Sequence, residues 1–161
     1  MFQLIQASNE ANCAAARLLF REYADQLGHD LCFQDFGREL DSLPGSYSPP
    51  FGCLLLASGG DDWAGCVAMR PTEQGICEMK RLYVRPRFRG QGLGRQLAVA
   101  AIEAARRGGH QRMRLDTLAE MGVARMLYES LGFRLTDPYY HNPIENVVFY
   151  ELVLTDPPGQ R

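Results

Sequence analysis

Lysine is almost missing from this chain: Lys80 stands alone, and the other permanent side-chain cations are arginines. Arginine stays charged at any ordinary pH and presents a planar fork that takes two phosphate oxygens, so the bias suits phosphate binding. A GC-rich coding habit accounts for it equally well. No CxxC pair occurs among the five cysteines (Cys13, Cys32, Cys53, Cys66, Cys77), and the three histidines (His29, His110, His141) are scattered. A zinc site is therefore not expected, and no other metal site is suggested. No apolar run is long enough to span a bilayer, and "MFQLIQASNEANCAAARLLF" lacks the charged start and apolar stretch of a signal peptide. A cytoplasmic protein with reduced thiols, away from any membrane, is the simplest expectation. A surplus of positive charge is absent too: the formal net charge of −2 argues against a general nucleic-acid binder.

What remains is ordinary for one globular domain. The 161 residues are 46% hydrophobic and 22% charged, which predicts a single core across residues 1–161 with a flexible tail from about 155. "FQLIQA" reads as a strand. Ser8 then caps a helix with Ala15, Leu19, Tyr23 and Leu27 on one face, stopped by Gly28. A shorter helix around "FGRELDSL" follows. "CLLLAS" and "WAGCVAMRP" flank the turn "GGDD" as a hairpin, and "ICEMKRLYVRP" is another strand, ended by Pro86. A helix from about Leu93 to Arg107 leads to the strand "RMRLDTL" and then the helix "EMGVARMLYESLG". Two strands, "FRLT" and "VVFYELVL", close the chain around the loop "DPYYHNPIEN". This order predicts an α+β (mixed α/β) domain around one central sheet.

"RPRFRGQGLGRQLAVAAIEAARRGG", Arg85 to Gly109, is the most informative stretch. It places three glycines and a run of arginines just ahead of a helix. A helix N-terminus offers unpaired N–H groups and partial positive charge, and bare glycine backbone lets phosphate oxygens come close. Arg85, Arg87, Arg89 and Arg95 add long-range attraction. A plain surface turn is the competing reading. A dinucleotide GxGxxG fails because Arg95 and Leu97 stand where a third glycine is needed, and a P-loop fails for want of a Lys–Ser/Thr pair.

Arg89-Gly90-Gln91-Gly92-Leu93-Gly94 does match R/Q-x-x-G-x-G/A, the pyrophosphate loop of the GNAT acetyltransferase superfamily. "ARMLYESLGF" is similar to that family's fourth helix running into its sixth strand. The resemblance covers about Cys77 to Phe133. It implies a mostly antiparallel twisted sheet with splayed fourth and fifth strands, flanked by about four helices. It also implies acetyl-CoA as co-substrate, its pantetheine pairing with Leu82, Tyr83 and Val84 and its diphosphate on the amides of Arg89, Gly90, Gln91, Gly92, Leu93, Gly94 and Arg95. A homodimer is the family's default.

Acetyl transfer to an amine needs a deprotonated nucleophile, donors for the developing oxyanion and an acid for the leaving thiolate. Tyr128 stands at the family's acid position; a packed core tyrosine is the alternative, and the two are compatible. Glu78 is the candidate base, with burial expected to raise its pKa; a glutamate paired with Lys80 or Arg114 is the competing reading. Met121 replaces an asparagine that many members carry, so that cofactor contact is not available. Cys77 points away from Glu78's face, which favours direct transfer in a ternary complex over a covalent cysteine route.

The acceptor is expected between Glu22–Pro50 and Asp137–Asn146. The first segment carries Glu22, Asp25, Asp30, Asp35, Glu39 and Asp41, which suits a cationic amine or merely a solvated helix face. Tyr23, Arg38 and His141 are candidate acceptor contacts. Asp116 and Thr117 either line the acceptor side or form a simple turn. The leading expectation is an acetyl-CoA-dependent N-acetyltransferase for a primary amine of a small molecule or peptide. A non-catalytic acyl-CoA sensor is the alternative.

Overall fold

A computed structural model describes residues 1–28, 31 and 35–155 of the chain. His29, Asp30, Cys32 and the tail from 156 lie outside the described residues. The element order is β1 (Gln3–Gln6), α1 (Glu10–Leu27), α2 (Phe36–Ser42), β2 (Cys53–Gly59), β3 (Asp62–Glu73), β4 (Ile76–Val84), α3 (Leu93–Arg107), β5 (Arg112–Leu118), α4 (Gly122–Ser130), β6 (Arg134–Thr136) and β7 (Val147–Val153). The strands form one sheet ordered β1-β2-β3-β4-β5-β7-β6, antiparallel except where β4 meets β5. The mixed α+β architecture expected from the sequence is thus present.

The sheet separates two cores. On one face α3 lays Leu93, Leu97, Ala98, Ala101, Ile102 and Ala105 over Met69, Cys77, Met79 and Met113. The alanines let the helix approach closely, while each buried leucine contributes roughly 1.5–3 kcal/mol. On the other face α1 buries Cys13, Ala16, Leu19 and Phe20 against Leu54, Leu56, Cys66 and Tyr83. α1 begins one residue later than expected: Asn9, not Ser8, is its cap, because the Asn9 carboxamide oxygen accepts from the Asn12 N–H at 2.8 Å. Gly28 ends it with φ 74°, where a side chain is strained.

One irregularity positions the site. In the β3–β4 ladder Cys66 faces Tyr83 but Ala68 faces Lys80, so Arg81 and Leu82 together oppose Val67. This bulge holds Arg81 at φ 61°, a left-handed conformation that costs an L-residue about 1 kcal/mol. Glu39 of α2 secures it: its two carboxylate oxygens accept from Arg81 Nε at 3.0 Å and Nη2 at 2.9 Å. The rings of Tyr23 and Phe36 pack near the same guanidinium. Before the bulge, Cys77 and Met79 point to the α3 core, which sends Glu78 and Lys80 to the α1–α2 face. The extra residue keeps Arg81 on that face as well.

Candidate active site

β4 and β5 run parallel and pair at only three positions: Ile76 with Arg112, Cys77 with Met113 and Glu78 with Arg114. Beyond them the strands part, and the fork opens into a cleft of about 750 Å³ between β4, β5, α3 and α4. Leu82, Tyr83 and Val84 line one wall; Leu115, Asp116 and Thr117 line the other. Arg85 donates its N–H to Ala64 O at 2.8 Å. Alternation therefore turns the Val84 peptide away from β3 and towards the gap. β4 offers an open edge there, as an extended amide ligand requires.

The glycine loop lies at the mouth of this fork. Gly90 and Gly92 have φ 79° and 78°, and a Cβ on either would point into open space. Gly92 is the cap residue of α3 and supplies no side-chain bond to its first turn. The first intrahelical donor is Gln96 N–H, to Gly92 O at 3.1 Å. Among the described residues, the N–H groups from Gly90 to Arg95 donate to no protein acceptor. A run of unpaired amides at a helix start fits a diphosphate. A Cβ on Gly94 would meet Leu127 and Val84 at 3.7 and 3.9 Å, ordinary contact distances that do not demand glycine.

The loop arginines do less than their number suggests. Arg89 Nε donates to Val84 O at 2.8 Å and its Nη2 to Gln26 Oε1 at 2.7 Å. Arg95 donates to Ser130 Oγ at 2.9 Å. Arg85 grips both oxygens of Glu22, at 2.9 and 2.7 Å, and also Asp62, which pairs with Arg87 too. Arg85 and Arg87 are thus paired with carboxylates, whereas Arg89 and Arg95 bond only neutral groups and keep their charge at the mouth.

Tyr128 of α4 lines the cleft, with its ring packed on Phe133 and Tyr150 at centroid distances of 5.7 and 6.2 Å. Its hydroxyl makes no hydrogen bond with the described residues. Burial pushes its pKa far up, so it keeps its proton and can serve as a donor. Tyr128 is thus packed among aromatic rings and lines the cleft at the same time.

Glu78 is placed differently from the expectation. It is 1% exposed and is not among the cleft-lining residues. Its Oε1 accepts from Arg70 Nε and Nη2 at 3.1 and 3.0 Å, and its Oε2 accepts from the Tyr139 hydroxyl at 2.6 Å. Burial pushes its carboxyl up, but the Lys80 charge, Tyr139 and Arg70 outweigh burial and hold it below the ordinary value. The expected rise is thus reversed, because the pairing partners arrive from β3 and from the loop before β7.

A model of the acetyltransferase (GNAT) family matches residues 13–133. An uncharacterized N-acetyltransferase of Schizosaccharomyces pombe is 45% identical over 141 residues, 86% of each chain. The chain belongs to the GNAT family. It is an acyltransferase. N-acetylaspartate synthetase of Rattus norvegicus is 37% identical over 87 residues, 53% of this chain and 29% of that one. An acetyltransferase of Salmonella typhimurium, solved with acetyl-CoA, shares the fold with a TM-score of 0.69 at 21% identity, over 98% of this chain and 96% of its own.

The acceptor end of this GNAT cleft departs further from the sequence expectations. Tyr23 lines it, but Arg38 sits on the surface beside Asp35 at 3.6 Å, and His141 is exposed and is not among the cleft-lining residues. The acids of α1 and α2 are largely spent within the protein: Glu22 on Arg85, Glu39 on Arg81, Asp35 on Arg38. Asp25 and Asp41 are exposed, and Asp30 lies outside the described residues. Asp116, one of two open readings in the sequence, lines the cleft, and its Oδ2 accepts from the Tyr140 hydroxyl and from Asn142 Nδ2. Lys80, read from sequence only as a partner for Glu78, also lines it, 3.9 Å from Glu78 Oε1. Burial lowers its pKa to about 8 against the pull of Glu78. Among the described residues no helix is long and apolar enough to cross a membrane, and no three potential metal ligands cluster.

Proposed function

We propose that this GNAT chain moves the acetyl group of acetyl-CoA directly to a primary amine in a ternary complex. One observation carries the reading. The unpaired amides from Gly90 to Arg95 stand at one end of a cleft whose interior presents the unbonded Tyr128 hydroxyl.

Acetyl-CoA supplies an activated carbonyl carbon and a thiol leaving group. The loop amides would hold the diphosphate, and the open edge of β4 at Leu82–Val84 would take the pantetheine amides. That edge also provides a fixed N–H towards the carbonyl oxygen, where charge builds as the amine attacks. Tyr128 donates to the departing sulfur. The proton lost by the attacking nitrogen balances the proton gained by the thiol.

The nucleophile must arrive as free amine, because an ammonium has no lone pair. Glu78 has both oxygens occupied and no face on the cleft, so its role in this reading is to seat Lys80. The rat relative's name places an acetyl group on a nitrogen, which supports N-transfer rather than O-transfer.

The test is release of free CoA thiol from acetyl-CoA with a panel of primary amines, alongside calorimetry with CoA. Amine-dependent thiol release is expected. Heat of binding with no turnover for any amine would overturn the transfer reading, and no heat would overturn the loop assignment as well.

A further inference from the structure

Lys80 and Asp116 face one another across the open fork. The parallel register pairs Ile76 with Arg112 and Glu78 with Arg114, two residues per step on the α1–α2 face. The next step of the same face is Lys80 against Asp116, and there the strands have separated. Both side chains line the cleft. They carry opposite charge on opposite walls, at the first level where a ligand fits between strands.

Each is held in place from behind. Glu78, fixed by Arg70 and Tyr139, stands 3.9 Å from the Lys80 ammonium. Asp116 receives Tyr140 and Asn142 on Oδ2, neither bond falling on Oδ1. A rigid cation and a rigid carboxylate beside the reacting end select a ligand with the complementary pair.

We infer that the acceptor is a small amine that also carries a carboxylate, an amino acid or close analogue, with its carboxylate towards Lys80 and its amino group towards Asp116. This rests on the transferase reading above and narrows it. An acceptor lacking the carboxylate would meet Asp116 with its amino group but offer Lys80 no anion from the ligand side. Within this inference a zwitterionic acceptor takes the place of the purely cationic amine that the acids of Glu22–Pro50 suggested in the sequence.

The experiment uses the full chain and acetyl-CoA, following thiol release. Alanine, serine, leucine, phenylalanine, aspartate, glutamate and lysine are each compared with their carboxamides and decarboxylated amines. For the best acceptor, kcat/KM is expected to exceed that of its carboxamide and its decarboxylated partner by tenfold or more, chiefly through KM. Lys80→Met should bring the ratio below threefold while the Kd for acetyl-CoA stays within twofold, and Lys80→Arg should keep part of the preference. The preference should also fade above pH 8 as Lys80 loses its proton; Glu78, Arg81, Arg70 and Asp116 are the charged groups facing it among the described residues.

Equal or better turnover of the decarboxylated amines by the unaltered protein overturns the inference and leaves the transferase reading standing. Absence of acetyl-CoA binding, or of turnover with every amine, overturns both.

Discussion

Replacing Gly92 by aspartate tests the diphosphate site most directly. Gly92 has φ 78°, and its Cβ would enter open space beside the unpaired amides. Two effects are separable. Left-handed backbone costs an L-residue about 1–2 kcal/mol, with Asp and Asn at the low end because their side chains bond locally. That part is read in urea unfolding of the free protein. The second part is charge: at about 5 Å from one phosphate charge and an effective dielectric near 20, repulsion is roughly 3 kcal/mol. That corresponds to about two orders of magnitude in Kd for CoA. Gly92→Asn shares the size and the backbone strain without the charge, so the ratio of the two affinities isolates the electrostatic part. Calorimetry at moderate salt with CoA is the assay. Equal Kd values for the Asp and Asn variants, or an Asp variant that binds like the unaltered protein, would refute the placement of phosphate at these amides.

Tyr128→Phe should lower kcat about 100- to 10,000-fold, the ordinary worth of one positioned acid. Kd for CoA and the unfolding midpoint should barely move, since the hydroxyl bonds none of the described residues; an unchanged kcat would confine Tyr128 to packing. Glu39→Ala strands the Arg81 guanidinium, whose side chain is 3% exposed, and should cost about 3–5 kcal/mol in urea unfolding. The double variant Glu39→Leu/Arg81→Leu should recover most of that loss, and a failure to recover would show that the bulge itself needs the ion pair. Glu78 titrates below its ordinary value of 4.5. The folded state therefore prefers it ionised, and its stabilisation is present above about pH 4.5 and lost as pH falls through the folded pKa. Stability against pH should accordingly slope less steeply below 4.5 in Glu78→Gln than in the parent, and parallel slopes would refute the assignment.

Much of the fold was legible because it rests on local patterns. Alternation and turn residues marked every strand, and Leu93, Leu97 and Ala101 at helical spacing marked the face that α3 buries. The one-residue error at the α1 cap arose because Ser8 and Asn9 both suit that position, and only the geometry of Asn12 N–H chose between them. The loop arginines showed a related limit. Composition showed their charge but could not show that Glu22 and Asp62 come round to pair with Arg85 and Arg87 while Arg89 and Arg95 bond only neutral groups.

By itself the sequence determined the glycine loop and its helix, because six main-chain N–H groups at a glycine-rich helix start follow from neighbours in the chain. It also determined the tyrosine on α4, four residues from Ala124 and so on the same helical face. Only the tertiary structure decided the acceptor end. A single extra residue in β4 fixed which way Lys80 and Arg81 point, and the parallel register with β5 set Asp116 opposite Lys80. Arg70 and Tyr139 closed over Glu78 from 8 and 61 residues away in sequence. Burial and long-range pairing of charge set the chemistry of these groups, and neither is a property of any local stretch.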